Sequence, residues 1–319
     1  MTAAAIDDHG AADEAIRPRR DPVLIGLWIA LVLVALIWIA PFVFMVFTSL
    51  KSNEAVMATG AFQPPPELAW QNYSAAWARG RFDTTFWNSV IIAAIKVPLG
   101  LIVSAMGAYA LARMQIPWGK AMLVVVLFGT MIPFQVMLAP LFTLVNGFDL
   151  IDTYPGIILP YIAFGVPYQV FILHGFFRNV PKELSEAALI DGASHFTIFR
   201  RIFLPVSIPV LAALFILDFV ATWNEFAMAL VLLQNQNMWT LPLGLMAFQG
   251  QFSNDYGQLN AAIVMTVLAA TYFGVGAAYN FFVKKETGIR VIPHWDLFVA
   301  GYYTMTEWCK PSRPSAIQL

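Results

Sequence analysis

The chain has 319 residues and a formal net charge of −1; 59% of it is hydrophobic and only 12% is charged. Soluble domains carry roughly 25% charged residues, so this composition excludes an ordinary water-facing globule and points to a surface in contact with lipid. A single cysteine, Cys309, excludes an internal disulfide framework.

Residues 1–22 read as a polar tail ending in Arg17-Pro18-Arg19-Arg20-Asp21-Pro22. The apolar run that follows is longer than the ~7–15 residues of a signal-peptide core, so it reads as a retained first span. A bilayer core takes ~20 mostly apolar residues per helix. On that measure six spans are predicted, at 23–47, 86–111, 120–142, 155–177, 207–233 and 259–283. Pro155, Pro160 and Pro167 interrupt the fourth and make it the weakest helix. Prolines are tolerated where neighbouring helices satisfy the freed carbonyls, which places this span inside the bundle.

Lys and Arg set the direction of insertion. With the N-terminus inside, 14 of them fall on inside segments, three (Lys51, Arg79, Arg81) fall outside, and Lys96 is intramembrane. Both termini and the 178–206 loop are therefore expected in the cytoplasm. Outside, residues 48–85 carry Pro64-Pro65-Pro66 with Trp70, Tyr73 and Trp77 and read as a structured hairpin. Residues 234–258 mix amides with aromatic rings, which suits either sugar contact or an interfacial aromatic belt.

The 178–206 loop is a polar island between apolar runs. Asn179 and Pro181 supply a helix start, Gly192 a left-handed exit, and Ser194 a cap for a second helix. That second helix places Ile198, Phe199, Ile202 and Phe203 on one face and Arg200 and Arg201 on the other, and Pro205 is expected to stop it. Beyond it, Asp218 and Glu225 lie seven apart in the fifth span, on one helical stripe. Ionisable groups in a span are costly and usually face the bundle interior. They read as a pathway-lining face with Asn224 and Trp223, whose ring could stack on a sugar, or as half of a structural ion pair with Lys96. His174 and His195 have no second ligand at metal spacing, so no metal site is expected. No G-x-x-x-x-G-K-[ST], C-x-x-C or H-E-x-x-H occurs, so the chain is read as non-catalytic, and any ATP hydrolysis belongs to another protein.

Glu186-Ala187-Ala188, Gly192 after three residues, and Ile202-x-Leu204-Pro205 after nine more resemble the signature of the membrane subunits of binding-protein-dependent ABC importers. Leu184–Ser194, Trp223-Asn224-Glu225 and Thr240–Leu245 narrow the resemblance to carbohydrate-importer permeases similar to the smaller membrane subunit of the maltose importer. It covers roughly residues 25–285. The resemblance implies an all-α integral membrane protein of six transmembrane helices with a cytoplasmic coupling helix–turn–helix, the type I ABC importer permease fold. It implies that Glu186, Ala187, Ala188, Gly192, Leu204 and Pro205 dock on an ATPase. It further implies a second homologous permease, two ATPase subunits holding ATP and Mg, an extracytoplasmic solute-binding protein and a sugar-like cargo. No cofactor in this chain and no nucleic-acid partner are expected, and the site is the cell membrane. The implied domains are a tail (1–22), a permease domain (23–285) and an atypical cytoplasmic tail (286–319) that does not look like the family's ending. The alternative is a secondary transporter driven by an ion gradient through Asp218, Glu225 and Lys96.

Overall fold

The computed structural model describes residues 22–60, 62–249 and 255–278. The two tails, the end of the sixth expected span and residues 250–254 of the amide-rich segment lie outside them. Helices are the only regular structure among the described residues.

α1 (Pro22–Ser49) turns apolar side chains outward along nearly its whole length and rests on α13 (Tyr256–Ala278). An apolar helix with no buried face suits lipid, not water. After it come α2 (Asn53–Ala58) and α3 (Gln71–Arg79), two short helices in the segment 48–85 that was expected to form a hairpin. The Asn72 amide ties them down by donating to Ser49 O (2.9 Å) and Lys51 O (2.8 Å). Gly257 of α13 is required at that junction. A Cβ there would lie 2.6 Å from Lys51 O and 2.7 Å from Asn72 Nδ2.

The centre of the bundle is the pair α4 (Phe82–Arg113) and α7 (Tyr154–Asn179), packed along most of their length. α4 buries Ala93, Lys96, Val97, Gly100, Ser104, Ala105 and Ala108, a stripe at helical spacing dominated by small residues. Such residues let two backbones approach closely in lipid. The fourth expected span is thus interior, but it is not weak. α7 is one continuous helix through Pro160 and Pro167, with Pro155 in its first turn where a missing N–H is harmless.

Two spans differ from expectation. The third is broken into α5 (Gly119–Met131) and α6 (Phe134–Gly147), bent by 99°. Pro133 forces Ile132 out of the helical region, to φ −76°, ψ 121°. The fifth is α10 (Ile208–Trp223), a break, and the short α11 (Ala227–Leu232). Among the described residues three helices are long and apolar enough to cross a membrane, or up to five if α5 with α6, and the segment His195–Val206 with α10, are each one bent span. The short α12 (Leu241–Gly244) follows α11, and α13 stands at the sixth position.

Candidate functional site

Within the 178–206 loop, α8 (Lys182–Ile190) begins behind Pro181, while Asn179 belongs to α7 and supplies no cap. α8 ends in two interlocking turns. Gly192 N donates to Leu189 O (3.0 Å) and Ala193 N to Ala188 O (2.9 Å), with Gly192 at φ +79°. This bonding satisfies carbonyls that a helix end leaves orphaned. Ser194 Oγ then accepts from Thr197 N (3.3 Å) and caps α9 (His195–Val206). Pro205 does not stop α9. A π-helical stretch, Phe199–Phe203, widens the turn ahead of it and the helix runs on to Val206. The stop comes at Ser207, where the chain bends by 76° into α10 and the Ser207 hydroxyl donates to Phe203 O (2.8 Å) and Leu204 O (3.0 Å).

Ile198, Phe199 and Phe203 are buried and Arg200 and Arg201 exposed, the expected division of α9. Of the candidate docking residues, Glu186, Ala187, Gly192 and Pro205 are exposed, while Ala188 and Leu204 are half-buried against the core. The residue pattern did not single out their neighbours. Ile190 is 85% exposed and Phe196 62%, with Leu184 and Leu189 also open. Four large apolar side chains at the surface of a short, otherwise polar loop mark a contact face. Their apolar character beside charged residues was the available signal.

The fifth span presents its candidates differently. Asp218 pairs with Lys96 across α10 and α4, both side chains buried. Beside them Ser104 Oγ donates to Gln169 Oε1 (2.7 Å), which joins α7 to the same polar node. The ion pair between Asp218 and Lys96 that one of the two readings required is thus formed. Glu225 does not continue the Asp218 stripe, because α10 ends at Trp223. Its carboxylate accepts from Met228 N (2.8 Å), Ala229 N (3.1 Å) and Tyr161 Oη (2.5 Å), capping α11. A carboxylate at a helix N-terminus satisfies free amides and meets the positive end of the dipole. Trp223 is 2% exposed, with Phe219 and Phe273 stacked on it at 5.3 and 6.3 Å. Its ring offers no free face for a sugar, against the expectation. Asn224 alone of the four is exposed.

Asn224 opens onto a cavity of about 410 Å³, lined by Phe226, Pro242, Leu245, Met246, Gln249, Ile263, Thr266 and Val267 as well. Two amides and a hydroxyl on an otherwise apolar wall suit a neutral polar solute better than an ion. Part of the amide-rich segment beyond α11 is committed to structure. Arg81 Nη2 donates to Asn237 Oδ1 (2.7 Å), and the Asn88 amide donates to Asn237 O (2.8 Å) and Trp239 O (2.9 Å).

Residues 96–284 match the family model described as "Binding-protein-dependent transport system inner membrane component". The chain is 36% identical over 247 residues to a diacetylchitobiose uptake system permease protein of Streptomyces coelicolor, covering 77% of this chain and 80% of that one. It is 35% identical over 245 residues to an arabinooligosaccharides transport system permease protein of Halalkalibacterium halodurans, covering 76% and 87%. With a trehalose transport system permease protein of Mycobacterium tuberculosis it shares 34% identity over 206 residues, 64% and 75% of the two chains. The fold is similar to a chain of a bacterial ABC transporter involved in the import of the acidic polysaccharide alginate. There the TM-score is 0.69 at 22% identity, covering 84% of this chain and 99% of that chain.

Proposed function

This chain belongs to the binding-protein-dependent transport system inner membrane components, a family of ABC importer permeases, and from that premise we propose how it works and what it carries. As a family member it is an integral membrane permease, a non-catalytic component that acts with a partner permease, an ATPase and a solute-binding protein. We assign it one half of the translocation pathway for a sugar or sugar-like solute. The relatives named for diacetylchitobiose, arabinooligosaccharides and trehalose support that cargo. So do the amides of Asn224 and Gln249 in the cavity wall. The wider assembly is proposed as this chain, a second homologous permease, two ATPase subunits that bind ATP and Mg, and an extracytoplasmic solute-binding protein.

The observation that carries the coupling assignment is the 178–206 loop. The turn that ends α8 is bonded within the loop itself, so Glu186, Ala187, Ala188 and Gly192, with Leu189 and Ile190, form a pre-shaped contact face for an ATPase. Leu204 and Pro205 place the loop's exit. The excess of Lys and Arg on one set of loops supports a cytoplasmic location for this face and for both termini. Along the pathway, Asn224 faces the solute while Trp223, Glu225 and Asp218 shape the wall behind it. Family membership leaves the ion-gradient alternative without support.

The test uses the complete purified complex. Glu186→Lys and Gly192→Pro should leave the protein in the membrane and abolish the stimulation of ATP turnover by sugar-loaded binding protein. Trehalose, diacetylchitobiose and arabinooligosaccharides are screened in the wild-type complex. Normal stimulation in both variants would remove the coupling assignment, and stimulation by none of the sugars would remove the cargo class.

A further inference from the structure

Arg113 is the last residue of α4. Its Nε donates to Phe177 O (3.0 Å) and its Nη2 to Phe177 O (2.5 Å) and to Val180 O. These carbonyls stand at the C-terminal end of α7, where helical carbonyls lack partners and the dipole favours a cation. Only Pro181 separates Val180 from α8. The same guanidinium lies 5.1 Å from the centre of the Phe203 ring, in the π-helical stretch that leads out of the loop. One side chain thus holds both the entry and the exit of the 178–206 loop to the end of α4. One turn earlier, the Tyr109 ring packs on Phe177, Phe199 and Phe203 with centroids 6.4, 5.3 and 5.0 Å apart. Its hydroxyl lies 3.4 Å from His195 Nδ1.

We propose that Arg113 is a positioning residue that makes the loop and the end of α4 one rigid body, so that displacement of α8 is passed to α4 instead of being absorbed at residues 178–182. The inference rests on the reading that the loop docks an ATPase. α4 is a 32-residue helix, about 48 Å long at 1.5 Å per residue. Its far end meets α3 and the segment after α11, through the Asn88 bonds to Asn237 and Trp239 and the bond from Leu241 N to Ser89 Oγ (2.8 Å). A push at one end of a rod clamped in this way reaches the other side of the bundle. Lysine cannot substitute fully, because the clamp uses a planar fork that serves two carbonyls while stacking on a ring.

The experiment uses the complete complex in nanodiscs. Gln115→Cys and Lys182→Cys, both exposed positions, carry spin labels in a Cys309→Ser background. The distance between them is measured without nucleotide and after trapping with ATP and vanadate. The expected result is one narrow distance, the same in both states, that broadens in Arg113→Gln. Stimulation of ATP turnover by the binding protein should fall about ten-fold in that variant, the equivalent of one charge-assisted hydrogen bond, and less in Arg113→Lys. A native-background distance that shifts on trapping overturns the proposal. So does an Arg113→Gln complex with a narrow distance and native stimulation, and where that variant does not assemble Arg113→Lys decides by the same readouts. Glu186→Lys run alongside separates the two ideas. If Glu186→Lys keeps native stimulation the docking reading has failed; if it loses stimulation while the Arg113 variants keep theirs, only the clamp has failed.

Discussion

The 178–206 loop and the fifth span that follows it are adjacent in sequence and rich in candidate functional residues, yet they use polar chemistry in opposite ways. At the centre of the loop, backbone groups are satisfied by backbone and by one serine, through the turn at Gly192 and the cap at Ser194. Only at its entry does a side chain from elsewhere, Arg113, bond a loop carbonyl. Side chains such as Glu186, Leu189 and Ile190 are left free to face outward. In the span, the chain is broken at residues 224–226, and no water is at hand in a bilayer core to satisfy the freed groups. Side chains take over: Glu225 caps α11, Lys96 pairs with Asp218, and Trp223 fills the space behind them. A polar residue in a surface loop is available to a partner. Inside a span it is usually already engaged.

The largest effect should come from splitting the buried pair. Lys96→Met alone, or Asp218→Leu alone, leaves an uncompensated buried charge, and each should destabilise the protein by about 3–5 kcal/mol. The double variant Lys96→Met/Asp218→Leu should recover most of that, since an apolar pair of similar volume often replaces a buried ion pair without loss. Thermal unfolding of the purified complex reads the stability, and ATP-dependent uptake into vesicles reads function. Uptake that survives in the double variant confirms a structural pair. Uptake lost from a fully folded double variant would give the pair a transport role and break the contrast between loop and span.

An effect of similar size at one residue and almost none at the next should separate two adjacent residues of the span. Trp223→Ala removes a large ring packed against Phe86, Phe219 and Phe273, and should cost about 3–5 kcal/mol of stability. Asn224→Ala touches an exposed side chain whose one resolved bond is to Val220 O within its own helix (2.9 Å), and should change stability by no more than about 0.5 kcal/mol. Its effect should appear in the sugar concentration needed for half-maximal uptake. An Asn224→Ala variant with native uptake would leave the cavity without a role in transport.

The loop was legible in the sequence because its signals are local. A glycine needed at φ +79° and a serine three residues before the amide it caps are each visible within one helical turn. The same holds for the long apolar spans. The breaks were legible only in part. Pro133 breaks its helix whereas Pro160 and Pro167 do not break theirs, and the difference lies in neighbours. α7 is packed along α4 for most of its length, whereas α5 buries none of its residues. Pro205 was read as a stop because the π-helical stretch that precedes it has no signature in composition. Likewise Asp218 and Glu225 share a stripe only if the helix continues through Asn224. Whether it does depends on Tyr161 and on two amides beyond the break, none of them near in the helical pattern.

The finest test of the contrast is Ser194. Its hydroxyl oxygen accepts from Thr197 N at 3.3 Å and lies 2.9 Å from Thr197 Oγ1, and it is the side-chain cap of α9. Ser194→Ala should cost about 1 kcal/mol, the usual price of an N-cap, and lower the unfolding midpoint by a few degrees at most. Ser194→Asp should restore it, because a carboxylate caps as well and favours the helix dipole. If the loop is a pre-shaped contact face, the two variants should also differ in coupling. In Ser194→Ala the start of α9 frays and the orientation of Phe196 and Ile190 spreads, so stimulation of ATP turnover should fall about two- to five-fold, in proportion to the lost cap. In Ser194→Asp it should return toward the native value. The fall matters more than the stability change, since ~1 kcal/mol is too little to unfold the bundle but enough to loosen a loop whose order rests on few bonds. Native stimulation in a Ser194→Ala complex of reduced stability would mean that the partner, not the chain's own capping, shapes the face.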